Sequence, residues 1–101
     1  MKIQEYKIAS ENKDKIYTEI LFHIASCRAG GEEFAFISLS ENDVALPVEK
    51  YLKGLKQGGK IDFYIKSDEL TSTTIGSYIE NKYPEITKAF GERTGLYIVK
   101  L

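Results

Sequence analysis

His23 and Cys27 stand four residues apart, a spacing that puts both side chains on one face of a helix. Such a pair suits two ligands of a metal ion, or an imidazole set to take a proton from a thiol. They are the single histidine and the single cysteine of the chain, so no further residue of either type completes a tetrahedral site. Ile16, Ile20 and Ile24 surround them at helical spacing, and apolar company of that kind marks a core or subunit contact rather than chemistry. No catalytic residue, metal ligand or cofactor is assigned from this pair. A second set is electrostatic. Lys50, Lys53, Lys56 and Lys60 line the outward side of a later helix and the loop after it, and Tyr64 follows on a strand. Lysines in a row meet phosphates, and a tyrosine ring beside them offers a stacking surface for a base. A solvated helix face, softened by Glu49, is the plainer reading of the same residues.

One string has a familiar look. Arg28, then Gly30-Gly31-Glu32-Glu33-Phe34, then Ala35-Phe36-Ile37 resembles the Gly-Gly-(Asp/Glu)-Glu-Phe motif of the diguanylate cyclases. The resemblance implies Glu32 as a ligand of catalytic Mg²⁺, and Gly30 and Gly31 as backbone lining a guanine nucleotide. It spans only about ten residues, and short motifs need their structural context. The second metal-binding aspartate that the family carries on its first strand has no counterpart in residues 1–9, and a helix rather than a strand leads into the glycines. A helix stop, a charged turn and a strand account for the string.

Seven tyrosines without a tryptophan invite an interface reading, since a phenol ring is apolar and still hydrogen-bonds. The hydroxyls of residues 71–74 and Ser77 lack the glycines and lysine of a phosphate loop, and helix capping explains them. With 14 basic and 15 acidic side chains the formal charge is −1, which exerts no overall pull on nucleic acid or anionic lipid. A lone cysteine excludes an internal disulfide and fits a reducing compartment. Residues 1–7 lack the apolar run of a signal peptide. Thr18, Glu19, His23 and Ser26 interrupt the most apolar stretch, 16–27, so no span of a bilayer and a cytoplasmic location are expected.

The elements that must position these residues follow from periodicity. Residues 2–9 alternate loosely and predict an edge strand. Ser10 offers an N-cap for a helix that runs to about Arg28 and stops at Gly30-Gly31. Residues 33–39 are apolar on both faces, which predicts a central strand. Pro47 fits the first turn of a second helix, with Val48, Tyr51, Leu52 and Leu55 inward and Gly58-Gly59 at its end. Residues 60–66 alternate strictly, with Ile61, Phe63 and Ile65 on one face. A third helix continues to Pro84, a last helical turn covers 84–90, and 96–101 forms a final strand.

The order β-α-β-α-β-α-β over residues 1–101 predicts a single α+β domain: a ferredoxin-like sandwich with an extra helix and a four-stranded mixed sheet. A small doubly wound α/β sheet is the alternative. Helix one carries the main functional expectation. Its apolar residues, Ile16, Tyr17, Ile20, Leu21, His23, Ile24, Ala25 and Cys27, sweep roughly 200° at about 100° per residue, and Phe22 points outside even that arc. One sheet does not cover so wide a stripe. A homodimer through Ile16, Tyr17, Ile20, Leu21, His23, Ile24 and Cys27 is therefore expected, in a non-catalytic interaction protein. The alternative is a nucleic-acid or nucleotide-binding protein using the lysine ridge.

Overall fold

The computed structural model describes residues 3–101. Strand β1 is Glu5–Ile8; the alternation that predicts it begins at Lys2, which lies outside the described residues. Ser10 does not cap a helix. A 3-10 segment, Ser10–Lys15, kinked at Asn12, comes first, and helix α1 is Ile16–Ala29. The Ser10 hydroxyl instead donates to Asp43 Oδ1 at 2.8 Å and its backbone N–H to Ser40 Oγ at 2.9 Å, tying this segment to the turn after the next strand. That turn follows β2, Phe34–Leu39, and leads to α2, Ala45–Gln57, with Pro47 in its first turn as expected. Gly59 ends α2 at φ +71°, a backbone shape that side chains resist.

Strand β3 is Phe63–Lys66, and α3, Thr74–Lys82, begins at Thr73, whose Oγ1 accepts the Gly76 N–H at 3.0 Å. Pro84 opens a separate helix α4, Pro84–Phe90, and β4 is Leu96–Lys100. The sheet runs β1-β2-β4-β3, with β1 parallel to β2 and β4 antiparallel to both its neighbours. The α+β class and the four-stranded mixed sheet are as expected. The order is partly that of a ferredoxin-like arrangement: β2, α2 and β3 form a split β-α-β unit, with β4 lying between its two parallel strands.

Alternation on the two central strands dictates where the helices go. Ala35, Ile37, Tyr97 and Val99 face one way and pack with Ile16, Ile20, Ile24, Val48 and Leu52 of α1 and α2. Phe34, Phe36, Leu96 and Ile98 face the other and pack with Ile79, Ile86 and Phe90 of α3 and α4. Both faces are covered because both faces of β2 and β4 are apolar. The edge strand departs from its pattern. Phe63 and Ile65 join the α3/α4 side, but Ile61 crosses to the α1/α2 side, because the regular strand starts only at Phe63.

Candidate functional site

Three places bring together the residues singled out by their chemistry. The first is the His23–Cys27 pair on α1. The Cys27 Sγ lies 3.7 Å from His23 Nε2 and 3.9 Å from Nδ1, and both residues are buried under the sheet. Burial pushes the thiol up to about 12, with a hydrogen bond to Glu32 adding to it, so the thiolate that a nucleophile or a metal needs is disfavoured. The same burial lowers the His23 pKa, against a hydrogen bond to the Phe36 backbone. Tyr6 stacks on the imidazole with centroids 5.3 Å apart. The pair is packed, not primed. No group of three or more His, Cys, Asp or Glu among the described residues is placed to hold a metal ion.

The Gly-Gly-Glu-Glu-Phe string ends α1 and enters β2. The N–H groups of Gly30, Gly31 and Glu32 donate to Ser26, Arg28 and Cys27 carbonyls at 3.0–3.1 Å, which is the bonding of a helix stop. Gly31 takes φ +74°. Glu33 is held by the Tyr83 hydroxyl, and Arg28 by the Lys60 carbonyl. These bonds consume the backbone that a nucleotide would need.

The second place is the solvent side of α1. Ile16, Ile20, His23, Ile24 and Cys27 are all buried within the protomer, so five of the seven residues expected at a dimer contact serve the core. Tyr17 and Leu21 remain outward, 53% and 50% exposed, and Phe22 joins them at 75%. Tyr17 leans on Tyr51 of α2 with ring centroids 4.4 Å apart, which steadies one edge of the stripe. Ala25 and Ala29 are exposed between these large side chains. Phe22 was legible as the residue outside the arc; which flank the sheet covers was not.

The third place is a cleft of about 490 Å³ between α2 and β3. It is lined by Glu49, Lys53, Lys56 and Gln57 of α2, by Tyr64 and Lys66 of β3, and by Glu69. Of the lysine ridge, Lys53 and Lys56 are thus brought beside Tyr64, whereas Lys50 and Lys60 are exposed outside the lining. Glu49 and Lys66 pair at 2.7 Å across the cleft. The Tyr97 hydroxyl also bonds Glu49, and burial, then that carboxylate, raises the Tyr97 pKa. Lys53 and Lys56 have no ion-pair partner among the described residues. A second cavity of about 390 Å³, lined by Asp68, Thr94 and Tyr97, shares Lys66 with the first. Sequence reasoning missed the Glu49–Lys66–Tyr97 contact; the one available signal was that Lys66 and Tyr64 share a face of their strand. Comparison with protein-family models, with curated proteins and with solved structures gives no match.

Proposed function

We propose that this chain is a non-catalytic interaction protein that works as a homodimer through the solvent side of α1. The observation that carries the reading is the exposed apolar stripe Tyr17, Leu21 and Phe22 on a helix whose other flank is already sealed by the sheet. Its chemistry favours a second copy over a charged partner. Between Tyr17 and Phe22 around the helix lie Leu21, Ala25, Thr18 and Ala29, and the one charged side chain in that arc, Arg28, is turned to the Lys60 carbonyl. Small residues between large ones let two copies of the helix approach closely, and two-fold pairing uses each apolar side chain twice. The burial of the His23–Cys27 pair in the core supports the non-catalytic part. A lone reduced cysteine suits a cytoplasmic location.

Light scattering on the eluting protein tests this directly. Twice the 11.5 kDa chain mass is expected at about 100 μM, and one chain mass there overturns the reading.

A second reading, nucleic-acid or nucleotide binding, is favoured by one specific observation: Lys53 and Lys56 meet Tyr64 at a single cleft. Titrating labelled single-stranded DNA and RNA at low and high salt checks it. Binding that weakens with salt and is lost on Lys53→Glu with Lys56→Glu is expected.

A further inference from the structure

The charge pattern of the cleft narrows its ligand. We infer that the space between α2 and β3 takes one small phosphomonoester carrying a flat ring, the chemistry of a mononucleotide, and not a continuous strand. This rests on the second reading above and deepens it.

The volume, about 490 Å³, lies in the range of small-molecule sites, which run from roughly 300 to 1,000 Å³. Within it the charges are not equivalent. Glu49 is neutralised by Lys66 at 2.7 Å and shared with the Tyr97 hydroxyl. Lys53 and Lys56, one turn apart on α2, are then the positive excess of the lining. Two ammonium groups at that spacing suit a single dianionic phosphate. Tyr64 is half-buried and braced by Tyr97, ring centroids 6.5 Å apart, so its ring is a preformed surface for a flat group. Glu69, also in the lining, is an acceptor for an exocyclic amine or hydroxyl.

Glu69 also argues against a polymer. A strand threaded through the cleft would carry its next phosphates past this carboxylate, where like charges repel. Lys50 and Lys60, which a longer strand would need, lie outside the lining.

The test is an amide-shift titration of the isotope-labelled full chain with AMP, inorganic phosphate, adenosine and a short oligothymidylate. Saturable shifts with AMP, confined to residues lining the cleft, are expected, with phosphate and adenosine each weaker by about tenfold or more. Lys53→Ala with Lys56→Ala, both on the surface, should weaken AMP by about tenfold while leaving the spectrum folded. Tyr64→Leu should weaken AMP and leave phosphate unchanged. An oligothymidylate bound more than about tenfold tighter than AMP, with shifts reaching Lys50 and Lys60, overturns the small-ligand inference and leaves the ridge reading standing. No saturable shift with any probe at about 10 mM overturns both, and AMP shifts indifferent to the lysine variants overturn the assignment to this cleft.

Discussion

Cys27 and Gly76 show how single residues acquire meaning only from what folds around them. Burial holds the Cys27 thiol protonated in the native state up to about 12, against an ordinary value of 9.0. The unfolded chain therefore loses this proton first as pH rises, and the native state, which keeps it, is penalised. Stability should fall across pH 9 to 12 more steeply in the native sequence than in Cys27→Ala, as urea denaturation of the two proteins at matched pH would show. At neutral pH the folded thiol should react with iodoacetamide about 100-fold slower than in urea. Gly76 makes a different point. A Cβ there would collide with the Leu70 carbonyl and lie 2.7 Å from its Cα, backbone that cannot swing away. Gly76→Ala should cost roughly 2–4 kcal/mol in a denaturation midpoint series, where helix propensity alone favours alanine by about 1 kcal/mol. The Thr73 cap beside it was legible, since a hydroxyl before a helix is a local signal. The close approach at Gly76 was not, because it depends on how the turn through Leu70 folds back, which no spacing encodes.

At the scale of elements, α1 has two apolar flanks, one buried and one exposed. Ile20 is fully buried between sheet and helix, so Ile20→Glu places an unpaired charge in the core and should unfold the protein, by more than about 4 kcal/mol. Leu21 and Phe22 are exposed, so Leu21→Glu with Phe22→Glu should leave the circular dichroism spectrum and melting temperature nearly unaltered yet halve the mass seen by light scattering. A double variant that keeps the mass would remove α1 from the contact. The width of the apolar arc was readable from 3.6-residue periodicity, and so was the excess beyond what one sheet covers. Its division was not: α2 and the sheet take the Ile16–Ile20–Ile24 flank together, and only the placement of β2 and β4 under that flank decides it. The same limit misled the reading of β3. Strict alternation put Ile61 with Phe63 and Ile65, whereas the regular strand starts only at Phe63, three residues later than the alternation, and Ile61 goes to the opposite core.

Across the whole molecule, the central strands made the three-layer packing unavoidable, and their two-sided apolar pattern was visible in residues 33–39 and 96–101. The order β1-β2-β4-β3 was not, since it rests on pairings between distant parts of the chain that local periodicity leaves undetermined. Those distant parts are also joined by charge. Arg93, in the loop before β4, donates from Nη1 to Glu5 Oε2 at 2.9 Å and from Nη2 to Oε1 at 2.7 Å, reaching past β2 to the edge strand β1. A two-point fork of this kind fixes geometry as well as charge. Its hydrogen bonds to Arg93 hold the Glu5 carboxyl below its ordinary 4.5, against the opposing effect of burial. A depressed native pKa means that the contribution is whole above that ordinary value and disappears as protons bind on acidification. Both side chains are partly open to water, at 43% and 31%, so the coupling is modest. A double-mutant cycle of Glu5→Gln and Arg93→Gln should return about 0.5–1 kcal/mol at neutral pH and low salt. The coupling should shrink in about 1 M salt and be lost as acidification below the ordinary 4.5 protonates Glu5 in the folded state too. A coupling that survives acid would mean that the fork acts through the seating of the Arg93 guanidinium over Phe90, whose ring centre lies 5.4 Å from Cζ, rather than through the Glu5 charge.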